Sequence, residues 1–276
     1  MSLSLESWLP QASSLLIGQK RYYQHECGAG RKLIVSRDTK GFSAWCFRCN
    51  DEGWAPGPQL SLAERIESRN RLLRGDESLA RGSDAGALPM PQVREVSEWP
   101  REAALWLYKA GLGAPEIASL GAYYHPDTDR VVLPVMEHGV PVFWQARSVT
   151  GRTPKYLSPQ VDRSKLLPRY GSAASVTLTE DLLSAFKIGL VAEAWCLMGT
   201  HANPRLIGAL LERNAPVSVW LDPDGPGRRG ANKVHKQLKA YGIEVRIVRS
   251  TKDPKLHTFD EIKEHLCRST SSQPPP

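Results

Sequence analysis

Two apolar, β-favouring runs that each end in carboxylate constrain this chain most. Residues 176–179 close on Glu180-Asp181, and residues 217–221 close on Asp222-Pro223-Asp224-Gly225-Pro226-Gly227. Helical patterns follow both runs. Strands that alternate with helices build a parallel sheet, and such sheets work at the carboxyl ends of their strands. Glu180 and Asp222 are therefore expected on one sheet edge. Asp222 and Asp224 are two apart, so an extended backbone puts both side chains on one side, and Pro223 biases Asp222 that way. Crowded carboxylates repel and stay ionised at low cost only around a cation. A few hard oxygen ligands suit Mg2+, which keeps its waters and bridges to phosphates. The same Asp, Pro and Gly residues also make an ordinary turn, and both readings stand on these residues alone. A calcium loop fits poorly: with its glycine at Gly227, Pro226 and Lys233 fall where it needs an acceptor and a bidentate Glu.

The strand–helix rhythm continues around these runs. A helix is expected over 182–190, a strand over 194–198, and a helix opened by Asn203-Pro204, an N-cap followed by proline at the first helical position, and running to 213. Gly225, Gly227 and Gly230 read as a tight turn into a helix over 231–241, whose amino end faces a phosphate, and Gly242 ends it. A fourth strand over 244–248 leads to Thr251-Lys252-Asp253-Pro254-Lys255, placing Asp253 on the same edge. Thr258-Phe259-Asp260-Glu261 is a capping box for a last helix. Cys196 and Cys267 are expected to pack.

The other constraint lies near the amino end. His25-Glu26-Cys27 is followed by Cys46-Phe47-Arg48-Cys49, with expected strands over 32–35 and 42–45 around Asp38-Thr39-Lys40-Gly41. A hairpin with ligand pairs at both ends is the layout of a zinc ribbon, and His25, Cys27, Cys46 and Cys49 are its ligands. So small a unit lacks the core to fold alone, and metal binding supplies the missing free energy. Five cysteines, an odd number, argue against a disulfide framework and for a reducing cytoplasm. Arg31, Lys32, Arg37, Lys40 and Arg48 interleave with Phe42, Trp45, Phe47 and Trp54, a surface suited to phosphate contact and base stacking, with part of the aromatics packing the ribbon.

These patterns divide the chain into a zinc ribbon over 1–58, a helix (62–73) and flexible linker (75–91) over 59–91, and a basic mixed α+β segment over 92–172. An α/β parallel-sheet domain follows over 173–268, then a disordered tail over 269–276. The middle segment carries expected helices over 100–112 and 115–120 and paired strands over 130–135 and 141–147 around His138-Gly139. Its basic run, Arg147, Arg152, Lys155, Arg163, Lys165 and Arg169, has Asp162 as the only acid from 147 to 170. Standing just ahead of the acidic site, it suits phosphates or a template backbone; Arg147 and Lys155 are the first choices, with Lys165 and Lys252. A formal charge of +7 also favours a polyanionic partner. No apolar run reaches membrane-spanning length, and a start carrying Glu6 makes a poor signal peptide. There is no Gly-x-x-x-x-Gly-Lys-Ser/Thr loop and so no obvious nucleotide-driven motor.

Together these residues resemble the bacterial and bacteriophage Toprim primases: zinc ribbon, basic segment, Toprim domain. The resemblance is carried by His25, Cys27, Cys46 and Cys49; Thr153-Pro154-Lys155-Tyr156-Leu157; Thr179-Glu180-Asp181; Asp222-Pro223-Asp224-Gly225; and Lys252-Asp253-Pro254. It spans about residues 20 to 260. The chain departs from the family at the ribbon's His-x-Cys, at Asp181 where glycine is frequent, at Ser184 where many members have Asp, and at Lys255 where an acid often follows.

The resemblance implies a stand-alone DNA primase that makes short RNA primers on single-stranded DNA from ribonucleoside triphosphates. Zn2+ would be structural and Mg2+ or Mn2+ catalytic, with a separate helicase or polymerase as a further partner. Asp222 and Asp224 would hold Mg2+, Asp253 would support it, and Glu180 would be a ligand or general base. A Toprim nuclease and a non-catalytic zinc/Toprim recombination mediator are the alternatives; a type IA topoisomerase needs a longer chain.

Overall fold

The computed structural model describes residues 3–15, 19–38, 40–58, 61, 63–64, 87–150 and 154–267. They cluster into two units, one drawn from Met1–Leu105, Tyr123–Val132 and Trp144–Pro159, the other from Trp106–Ala122, Leu133–Phe143 and Gln160–Pro276. Most of the helix expected over 62–73, most of the linker over 75–91 and the tail over 269–276 lie outside the described residues. No helix among the described residues is long and apolar enough to cross a membrane.

In the first unit, helix α1 (Leu5–Ser13) precedes strands β1 (Lys20–His25), β2 (Gly28–Arg37), β3 (Gly41–Cys46) and β4 (Glu52–Pro56), which form an antiparallel sheet in that order. The β2–β3 register sets Leu33 opposite Cys46 and Val35 opposite Ala44. Alternation sends Leu33, Val35, Phe42, Ala44 and Cys46 into one core with Trp8 and Ala12 of α1. The expectation of a bare hairpin is corrected here. Strands β1 and β4 flank it, and α1 covers one face. Gly53 admits the indole: a Cβ there would stand 2.5 Å from Trp8 Nε1. The flanking strands escaped the sequence pattern because Lys20-Arg21-Tyr22-Tyr23 and Glu52-Gly53-Trp54 show little apolar alternation.

A second sheet runs β5 (Tyr123–His125), β6 (Arg130–Glu137), β7 (Val140–Ser148), β8 (Tyr156–Leu157), after helices α2 (Arg101–Lys109) and α3 (Ala114–Leu120). The β6–β7 turn falls at His138-Gly139, both at positive φ (52° and 78°), the left-handed pair that a two-residue hairpin turn requires. In the first unit Tyr123, Val132, Trp144, Ala146 and Leu157 share a core. Beside it Asp129, wholly buried, accepts from Arg21 Nη1 (2.9 Å), Thr150 Oγ1 (2.6 Å) and Tyr124 Oη.

The second unit holds β9 (Arg169–Tyr170), β10 (Val176–Thr179), α4 (Leu182–Gly189), β11 (Glu193–Cys196), α5 (Pro204–Arg213), β12 (Val217–Val219), α6 (Gly225–Ala240), β13 (Val245–Ile247) and α7 (Phe259–Cys267). Strand order is β13-β12-β10-β11-β9. Strands β10 to β13 are parallel, and β9 pairs antiparallel with β11 at the edge. Val176, Leu178, Val217, Val219, Leu206, Leu210, Val234 and Leu238 pack between sheet and helices. Two caps read from sequence are present. Asn203 Oδ1 accepts from Leu206 N at 2.8 Å, and Thr258 and Glu261 exchange bonds of 2.8 and 3.2 Å.

Two expectations are corrected. The glycine segment is not a turn into a helix at 231, for α6 starts at Gly225. Asp224 caps it, accepting from Gly227 N at 2.7 Å. The glycines serve close approach: a Cβ on Gly227 would lie 2.2 Å from the Asp222 carbonyl oxygen, and one on Gly230 2.6 Å from Thr200 Cβ. Cys196 is buried, but Cys267 is exposed at the end of α7, where the amphipathic face has run out.

Candidate active site and metal centre

The first unit carries a sulfur and imidazole cluster. His25 ends β1, Cys27 lies in the turn into β2, Cys46 ends β3, and Cys49 follows in the turn before β4. Ligand atoms of all four lie within 4.8 Å of one another. Cys27 Sγ stands 3.5 Å from Cys46 Sγ, and Cys49 Sγ 3.4 Å from His25 Nδ1. Donors about 2.0–2.3 Å from a tetrahedral zinc sit roughly 3.3–3.8 Å apart, so the set fits Zn2+. Burial works against a thiolate at Cys46, but backbone N–H groups of Cys49 and Arg48 draw it down to about 6. Burial pushes the neighbouring Cys49 thiol the other way, up to about 12, so a metal that takes both sulfurs must displace that proton.

The acids gather in the second unit. Glu180 follows β10, the central strand, and Asp222 and Asp224 lie in the loop from β12 to α6. Asp253 lies in the loop after β13 and Asp181 caps α4, accepting from Ser184 N at 3.0 Å. Into this group reaches Lys255 Nζ, at 2.9 Å from Asp253, 3.0 Å from Asp181 and 3.7 Å from Asp222.

One ammonium does not balance these five carboxyls. Glu180 Oε2 and Asp222 Oδ1 are buried without a hydrogen-bond partner. Burial pushes the Asp222 carboxyl up to about 7, Lys255 pulling it down and Asp181, Asp253 and Glu180 pushing it further up. Burial, then Asp224 and Asp181, raise Glu180 as well. Orphaned, proton-seeking oxygens on acidic side chains are the signature of a site short of positive charge, and a hard divalent cation suits them. The acids do not close to mutual ligand distance as the zinc set does; among the described residues that set alone does so.

A groove of about 350 Å³ opens beside Asp222, lined by Arg228, Asn232, Arg249 and Ser250 over an apolar floor of Leu221 and Val248. Its lining includes two arginines, Arg228 and Arg249, as well as Asp222.

No protein-family model and no curated protein matches the chain. Solved structures do. The zinc-binding and RNA polymerase domains of the Aquifex aeolicus primase align over 91% of this chain and 78% of that one, at 15% identity and a TM-score of 0.53. The RNA polymerase domain of Mycobacterium tuberculosis primase aligns over 72% and 84%, at 15% identity and TM-score 0.51. A DnaG primase catalytic domain bound to single-stranded DNA aligns over 73% and 79%, at 17% identity and TM-score 0.50. The fold is primase-like.

Within this primase-like fold the basic residues singled out from sequence fall in different places. Arg147 and Lys155 meet over one exposed ring in the first unit: Arg147 Nη1 donates to Tyr156 Oη at 2.7 Å, and Lys155 Nζ lies 5.5 Å from that ring's centre. Lys165 is exposed at the end of a 3-10 turn, Arg163–Lys165, in the second unit. Lys252 is ion-paired with Glu261 at 2.9 Å. Sequence reasoning missed Asp181 and Lys255 as partners and Arg228 and Arg249 as groove residues. Lys255 had a signal, a cation two residues past an acid at the sheet edge. Arg249 had none, lying just past a strand.

Proposed function

We propose that the chain is a Toprim-type DNA primase, making short RNA primers on single-stranded DNA in the cytoplasm by metal-dependent nucleotidyl transfer. The observation that carries the reading is the pair of orphaned carboxyl oxygens, on Glu180 and Asp222, at the carboxyl edge of the central strands of a primase-like fold. In the proposed division, residues 1–58 are the zinc ribbon, 92–172 the basic part of the core and 173–268 the Toprim domain.

Joining two ribonucleotides requires a 3′-hydroxyl to lose its proton and attack an α-phosphate whose charge grows as the bond to pyrophosphate breaks. Positioning and charge neutralisation do most of this work. Asp222 and Asp224 would hold Mg2+ or Mn2+, supported by Asp253; the ion supplies Lewis-acid stabilisation of the phosphate oxygens. Glu180 would take the hydroxyl proton or act as a ligand. Arg228 and Arg249 line the groove where triphosphate charge is welcome. Arg147 and Lys155 would steer the template or the incoming nucleotide, with Lys165 and Lys252 as lesser contacts. The zinc ribbon, with Trp45, Phe47 and Trp54 exposed, offers stacking surfaces for template bases.

The test is direct. Single-stranded DNA, Mg2+ or Mn2+ and labelled ribonucleoside triphosphates should yield short oligomers. Glu180→Gln and Asp222→Asn should abolish them with the thermal melt unchanged. Oligomers from both variants would remove the site. DNA cleavage that needs no nucleotides would replace synthesis with nuclease activity.

A further inference from the structure

The feature of this site that the proposed chemistry does not use is Lys255. Its side chain, 15% exposed, draws together three carboxylates that arrive on separate segments: Asp181 from the end of β10, Asp222 from the end of β12 and Asp253 from the loop after β13. It leaves the loop in a 3-10 turn, Pro254–Leu256, that starts with proline just after Asp253. That turn sends the lysine back onto the acid two residues before it.

Bridging acids from several loops is the work of a divalent ion. In two-ion phosphoryl chemistry the ions stand about 3.5–4 Å apart and share such carboxylates. A bound ion and Lys255 Nζ would compete for the same oxygens, Asp253 Oδ2 and Asp181 Oδ2. The orphaned oxygens, Glu180 Oε2 and Asp222 Oδ1, are not the ones the lysine holds. The acid cluster thus separates into a half neutralised from within and a half left short of charge.

We propose that Lys255 is a resident counter-cation that occupies the place of a second divalent ion, so that the site takes up one ion and not two. This rests on the reading of the acids as an ion-binding site. Lys255 acts here as a positioning residue: it fixes Asp222 and Asp253 relative to each other whatever the metal supply, and the remaining ion binds on the side of Glu180, Asp222 and Asp224.

The experiment counts Mn2+ bound to the zinc-loaded full chain, without nucleotide, from loss of the free-ion paramagnetic resonance signal. Wild type should bind one Mn2+ that Asp222→Asn removes. Lys255→Asp should bind two. Lys255→Met, which keeps the length and apolar stem but drops the charge, should bind Mn2+ at least tenfold more tightly than wild type, and it decides the matter if Lys255→Asp fails to fold. Two ions in wild type, with Lys255→Met unchanged in affinity, would overturn this inference and leave the ion-binding reading standing. No ion in wild type would overturn both.

Discussion

A buried charge shows its worth when its partner is removed. Asp129 is fully buried, and burial alone would raise its carboxyl, but Arg21, then Thr150 and Tyr124, hold it below the ordinary carboxylate range. A depressed acid contributes stability that is complete above its unfolded value, about 3.9, and lost as pH falls through its folded value. Thermal melts should therefore show acid loss that Asp129→Asn blunts. Arg21→Met leaves a buried carboxylate unpaired and should cost about 3–5 kcal/mol at neutral pH, read by denaturant unfolding; a cost under about 1 kcal/mol would show that water reaches Asp129. The site residues show the same limit of sequence reading. Glu180 and Asp222 could be placed at a sheet edge because each ends an apolar run. The bond from Lys255 to Asp181 spans 74 positions and has no local pattern.

At the scale of the element, α6 is the instructive case. Its glycines read as a turn because turn composition and close helix packing use the same residue, and only tertiary contact tells them apart. Two substitutions separate these uses. Gly227→Ala drives a methyl into the Asp222 carbonyl, 2.2 Å away, and should depress primer synthesis through a shifted Asp222. Gly208→Ala in α5 meets nothing within 4 Å and should be neutral or stabilise by up to about 1 kcal/mol. Asp224 carries a cap as well as a charge. Asp224→Asn should keep the cap and lose synthesis, whereas Asp224→Ala should lose synthesis and about 1 kcal/mol of stability besides. Equal stability of the two variants would show that the cap contributes nothing. The strands β1 and β4 were illegible for a related reason: β1 is half-buried and rich in polar residues, the buried positions of β4 are only the small Gly53 and Ala55, and pairing with β2 and β3 makes both of them strands.

For the whole molecule, zinc and the proposed catalytic ion have separate readouts. The four zinc ligands join the ends of β1 and β3 to the turns that follow them, and structural zinc contributes about 10–16 kcal/mol of apparent binding energy. Stripping zinc, or Cys46→Ser, should lower the melting temperature and disturb the emission of Trp8, which has no exposure in the intact fold. Adding Mg2+ should not restore either, and equal zinc content in wild type and Cys46→Ser would remove the ligand set. The charge of +7 belongs to this scale as well. Single-strand affinity should fall with salt. Replacing Arg147 and Lys155 by Ala should flatten the log–log slope by about 0.7 for each phosphate no longer neutralised; an unchanged slope would show that neither side chain touches the strand.

The bond from Gly227 N to Asp224 has a further use. When the carboxylate that starts a helix also faces a cation, anything drawing its electrons weakens the bond at the helix's first turn. The rate at which this one glycine amide swaps its hydrogen for deuterium then becomes a gauge of ion loading, readable without substrate, template or turnover.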